Sequence, residues 1–138
     1  MATDAAGVTL PSSAIPPLHW WRCLPATAFE IAHVAVLKRA ISGIGLIREP
    51  LWPAAANGDA AAAVGVALRA ITRHRKPTPT LDLIMSALLR CALEGSSAAG
   101  VTLWYALDRL TAAEPAYAPV AASWQVVLGR ADRGAQGA

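Results

Sequence analysis

The chain is 138 residues long, 55% hydrophobic, with a formal net charge of +3 and a mean hydropathy of +0.41. That length fits one domain able to bury roughly two-thirds of its unfolded surface. Abundant alanine, the best helix former, favours an all-α fold over a β one.

Residues 1–17 are polar, small and proline-bearing, and read as an extended or disordered arm. Bulky aromatics then appear abruptly in LHWWRC, Leu18 to Cys23. This predicts that the arm docks through His19, Trp20 and Trp21, onto its own domain or onto a partner. A first helix is expected from Pro25 to Ser42, with Pro25 in its first turn and Gly43 and Gly45 ending it.

The stretch Ile47 to Asn57 carries two prolines and Trp52 and is expected to be irregular. A second helix should start under a cap at Asn57 or Asp59, run through Val64, Leu68 and Ile71, and stop before Pro77. A third spans Pro79 to Glu94, capped by Thr78 or Thr80 and stopped by Gly95. Its polar residues, Asp82, Ser86, Arg90 and Glu94, recur every four positions on an otherwise apolar helix. Such a pattern predicts one thin line in water and burial of the rest.

Ser96-Ser97 can cap a fourth helix to about Ala113, and a turn this short predicts a helical hairpin. A fifth, from about Pro119 to Leu128, places Val120, Trp124 and Val127 on one side, ahead of a glycine-bearing tail, 129–138, expected to be disordered. The expected fold is a single-domain, all-α, irregular antiparallel bundle of four to five helices in residues 18–128, with an extended N-terminal arm. Its core should include Phe29, Val34, Leu37, Ile41, Val64, Leu68, Ile71, Ile84, Met85, Leu88, Leu89, Leu103, Ala106, Leu107 and Leu110.

No segment offers about 20 predominantly apolar residues with few or no charges, so no membrane span is expected. No basic region precedes a compact apolar core at the N-terminus, so the expectation is a soluble, cytoplasmic protein. Cys23 and Cys91 show no CxxC or Cys/His spacing and are expected as free thiols, Cys91 buried on a helix flank. No glycine-rich loop follows a strand, no serine lies in a nucleophile elbow, and no cofactor motif is present, so a non-catalytic protein is favoured.

Three constellations remain. Trp20, Trp21 and Trp52, with His19 and Arg22, concentrate tryptophan outside regular elements. Tryptophan is enriched at interface hot spots, which makes these five the partner-contact candidates. The competing expectation is that they cover the ends of an alanine-rich core. Arg69, Arg73, Arg75 and Lys76 gather at the second helix's end and could meet successive phosphates, although cations there also complement the helix dipole.

Glu30 and His33 form a Glu-x-x-His pair, half of the di-iron bundle motif. The second half is missing, so a polar pair is the stronger expectation, and a metal- or pH-responsive site at Glu30 and His33 is the outside alternative. A helix-turn-helix reading of the third and fourth helices fails, because Ala98-Ala99-Gly100-Val101 offers nothing to read base edges. The leading expectation is an interaction or regulatory module that binds a protein partner or a second copy of itself. A small nucleic-acid-associated protein is the alternative.

Overall fold

A computed structural model describes residues 15–137, with side chains described to residue 130. Residues 1–14 of the expected arm, Ala138, and the side chains of 131–137 in the expected tail lie outside the described residues. The chain is all-helical, with no strand among the described residues. Its helices are α1 (Trp20–Cys23), α2 (Ala32–Ile41), α3 (Trp52–Ala56), α4 (Ala60–Arg73), α5 (Pro79–Leu93), α6 (Ser97–Ala113) and α7 (Ala118–Gly137). Short 3-10 turns at Pro17–His19, Ala26–Ala28 and Pro115–Tyr117 link them.

Seven helices replace the expected four to five. The additions are α1 and α3, of four and five residues, in stretches expected to be irregular. The first long helix also begins at Ala32 rather than Pro25. Pro25 is extended (φ −67°, ψ 154°), Ala26–Ala28 is a 3-10 turn, and Phe29 is extended again. Tertiary contacts decide this: Ala26 N–H donates to Ser123 Oγ on α7 at 2.8 Å, and the Phe29 ring packs against Trp20 and Trp124. At the other end, α7 continues past the expected stop near Leu128. It runs through Gly129 and Gly134 to Gly137, although a glycine inside a helix costs about 1 kcal/mol relative to alanine.

The chain punctuation follows sequence chemistry closely. Asp59, Thr78 and Ser96 cap α4, α5 and α6, accepting from Ala62, Leu81 and Ala99 N–H at 3.0–3.1 Å. Helix α5 ends in a Schellman motif: Ser96 N–H reaches Cys91 O, Gly95 N–H reaches Ala92 O, and Gly95 takes φ 109°. Helix α3 ends the same way, with Asp59 N–H on Ala54 O, Gly58 N–H on Ala55 O, and Gly58 at φ 99°. Asn57 therefore closes α3 rather than opening α4.

Helix α5 is the centre. It packs against α2, α4, α6 and the N-terminal segment, while α7 covers α6. Residues 81–91 are buried without exception. The neighbouring α4 turns Ala62, Ala63, Val66, Ala67, Ala70 and Ile71 inward. Leu68, expected in the core, is 44% exposed, and Phe29 and Val64 are only partly buried. The inner face of α4 lies about one residue away from the one its bulkier side chains suggested. Alanines on that face let α4 approach the leucines of α5 closely.

Candidate functional site

The polar stripe of α5 is where the structure departs most from expectation. Asp82, Ser86 and Arg90 are 4%, 0% and 8% exposed, and Glu94 alone of the four is exposed. A buried polar group is costly unless it is hydrogen-bonded, and each of the three is. Asp82 accepts from Trp21 Nε1 at 2.8 Å and takes Arg22 through both oxygens, at 2.8 and 3.0 Å. His19 Nε2 stands 3.4 Å from the same carboxylate. Those hydrogen bonds raise the Arg22 guanidinium above its ordinary value, against the opposing effect of partial burial.

Ser86 Oγ donates to Asp82 O, one turn back, and lies 3.3 Å from Leu18 O. Arg90 donates to Ala56 O at the end of α3, at 2.8 Å, and to Glu94 at 3.2 Å. The stripe is thus an internal spine. Its start holds the 18–22 segment and its end holds the α3–α4 corner.

This placement uses up most of the sequence candidates. Trp20, Trp21 and Trp52 are 3%, 0% and 2% exposed, so their apolar bodies lie in this chain's own core. Trp20 Nε1 donates to Ile15 O at 3.0 Å, and Trp52 Nε1 to Ile44 O at 2.7 Å. His19 and Arg22 stand on Asp82. The three tryptophans thus pack in the core, while Arg22 is partly buried and the His19 side chain remains 43% exposed.

The basic corner is divided. Arg69 and Arg73 reach the nearly buried Glu49, at 2.9 and 3.4 Å, which ties the 44–51 loop to α4. Arg75 and Lys76 are exposed and have no ion-pair partner among the described residues. Glu30 and His33 meet, but not as a carboxylate–imidazole pair. His33 Nδ1 lies 2.8 Å from Glu30 N–H, which leaves the Glu30 carboxylate outside the contact. The imidazole stacks edge-on against Trp20 and Phe29, with centroids 5.1 and 5.6 Å apart. Glu30 sits before α2 starts, so the helical spacing assumed for a ligand pair does not apply. Among the described residues, no three His, Cys, Asp or Glu side chains gather closely enough to hold a metal ion.

Both cysteines are free, Cys23 exposed and Cys91 buried, and desolvation raises both thiols above their ordinary value. That is the opposite of what an activated nucleophile needs. No helix among the described residues is long and apolar enough to cross a membrane.

What the sequence reading missed is a cleft. Two adjoining pockets, of about 430 and 480 Å³, share Arg75, Leu110 and Ala113 between the α4–α5 turn and the last turns of α6. The floor of the first is apolar, made by Trp21, Ile71, Leu81, Ala106 and Leu110, with His74, Arg75 and Arg109 at its edge. The second adds Lys76, Tyr117 and the carboxylate-bearing Glu114. Arg109 is positioned by Tyr105, whose ring centroid is 5.7 Å from the guanidinium carbon and whose hydroxyl is 3.4 Å from Nη1. Thr78 Oγ1 lies 3.3 Å from His74 Nδ1 across the turn, and Pro77 and Pro79 stiffen it.

Comparisons of the chain with models of known protein families, with curated proteins and with solved structures find no match. The reading of the cleft therefore rests on its own chemistry. Arg75 and Arg109 come from elements far apart in sequence, and no hydrophobic period marks the edge they share. A sequence signal existed only in Arg75 and Lys76, which stand in a proline-bounded turn where a cation has no helix face to complete.

Proposed function

We propose that this protein is a non-catalytic interaction module whose partner-contact surface is the cleft between the α4–α5 turn and the C-terminal end of α6. The observation that carries the proposal is the contrast in polar satisfaction. Asp82, Glu49, Ser86 and Arg90 are consumed by internal contacts, whereas Arg75 and Lys76 have no ion-pair partner among the described residues and stand at the edge of a concave apolar surface. Apolar pockets with a few convergent polar groups are the usual form of a binding site. The partner is a protein, because the floor is apolar, with Ile71, Leu81 and Leu110 over the buried Trp21, and suits side chains.

Deleting residues 18–22 would not test this, since it removes Trp21 and Arg22 from the core. The cleft is better altered at its exposed edge, with Ala113→Trp to fill it and Arg75→Glu/Arg109→Glu to reverse its charge. The readout is crosslinking and capture of cellular partners by the full chain, with circular dichroism checking each fold. Partners taken by the wild type should be lost from both variants. Unchanged recovery by two folded variants would reject the cleft as the contact surface.

Nucleic acid is the second reading, through Arg69, Arg73, Arg75 and Lys76. The exposure of Arg69 and Arg73 side chains, 42% and 63%, is the observation in its favour. Salt-dependent retention on DNA or RNA, lost when the four become Ala, would support it.

A further inference from the structure

We infer that the cleft selects an acidic, apolar-anchored peptide segment. In this segment one or two large aliphatic or aromatic side chains are followed closely by carboxylates. The inference rests on reading the cleft as the contact surface and adds the chemistry of what enters it.

Charge complementarity carries it. Arg75, Lys76 and Arg109 face one carboxylate, Glu114, across two adjoining pockets. Glu114 is itself engaged as the cap of the Pro115–Tyr117 turn, accepting from Ala116 N–H at 3.4 Å. Cations at the end of α4 complement that helix's own dipole, but this accounts only for the α4 side. Arg109 projects from α6 and is prearranged by Tyr105, so two elements aim positive charge at one opening. The wall between them is Ile71, Leu81 and Leu110 over the buried Trp21.

The volume sorts the occupant. The apolar first pocket, about 430 Å³, accepts a pair of large side chains, and the adjoining one, about 480 Å³, lies along the cationic edge. Nucleic acid fits less well: Trp21 on the floor is fully buried, Tyr117 in the second pocket is half-buried, and Arg69 and Arg73 already share Glu49. Arginine meets a carboxylate bidentately, so the acids of the ligand belong opposite Arg75 and Arg109.

The test is fluorescence anisotropy of the full chain with four labelled probes. These are a 12-residue peptide mixing leucine, phenylalanine and aspartate, its Asp→Asn form, its Leu/Phe→Ser form, and a single-stranded DNA 12-mer. The aspartate peptide should bind and weaken as salt rises. The Asn and Ser forms should each bind about tenfold more weakly or worse. Ala113→Trp and Arg75→Glu/Arg109→Glu should abolish binding.

Equal binding of the Asp and Asn peptides would overturn the acidic selectivity and leave the cleft as a contact surface. No binding of any peptide, alongside cleft variants that still lose their cellular partners, would have the same effect. Peptide binding that survives both cleft variants would overturn this inference and the contact surface together. Preferential binding of the DNA would overturn both in favour of nucleic acid.

Discussion

Asp82 and Glu49 are both nearly buried carboxylates that meet arginines, and they do different work. Asp82 receives Trp21, Arg22 and the His19 edge, and its arginine side chain is only 17% exposed. Glu49 receives Arg69 and Arg73, whose side chains are 42% and 63% exposed. The number of partners is similar, but the environment of the cation is not. An arginine that can return to water loses little when its carboxylate is removed, whereas one largely covered by the fold loses more. Asp82 therefore closes the N-terminal segment over the core, while Glu49 trims a loop against α4.

The largest expected effect follows from that contrast. Asp82→Ala leaves Arg22 and the Trp21 indole N–H without their acceptor and should cost about 3–5 kcal/mol, read as a urea unfolding midpoint. Near-wild-type stability would mean that water reaches Arg22, and the difference between the two carboxylates would vanish.

The other end of the α5 spine gives the next effect. Gly58 and Gly95 both take left-handed φ at helix ends, so alanine is strained at either, by about 1 kcal/mol. At Gly95 a Cβ meets nothing within 4 Å, but at Gly58 it would stand 2.8 Å from Arg90 Nη2. Gly58→Ala must also move a guanidinium held on Ala56 O, and a hydrogen bond to a charged group contributes about 1.5–3 kcal/mol. Gly58→Ala should therefore destabilise by about 2–4 kcal/mol and Gly95→Ala by about 1. Equal losses would show that Arg90 swings aside freely.

Glu49→Gln should cost only about 1 kcal/mol, because the amide keeps an acceptor for Arg69 and both arginines rehydrate. Its sharper signature is salt dependence. The gap between wild type and Glu49→Gln should shrink between low and high ionic strength, while the Asp82→Ala gap should not.

How much of this was readable beforehand varies along the chain. The all-helical class, helices α4, α5 and α6, the caps at Asp59, Thr78 and Ser96 and the stop at Gly95 follow from local chemistry, and each appears. The α5 stripe was visible as a pattern, but its solvent was not. A four-residue period says that polar residues share a face, and it is silent on whether water or another segment lies opposite. Trp21 and Arg22 lie 61 and 60 residues from Asp82, a distance no local rule spans. Leu68 illustrates a related point: alanine fits equally well inside or outside, so the bulkier leucine does not mark the inner face of α4. The cleft was legible only as an unexplained pair of cations at Arg75 and Lys76, since its floor is assembled from four separate elements.

Trp124 supplies the smallest effect and the counterpart to Asp82. Its indole N–H is buried and has no hydrogen-bond partner among the described residues, whereas Trp20, Trp21 and Trp52 each donate to a named oxygen. A buried donor left unmade costs about 1–3 kcal/mol, a penalty the fold already carries at this position. Trp124→Phe removes that donor and gives up some ring area against Phe29. The two effects oppose each other, and the net change should lie within about 1 kcal/mol of zero. Trp21→Phe makes the same change in size but strips Asp82 of a donor, so it should cost about 2 kcal/mol more than Trp124→Phe. Thermal unfolding of the two variants side by side separates ring volume from hydrogen bonding. Equal losses would mean that volume alone sets the cost, and that Asp82 is held by Arg22 without help from the indole.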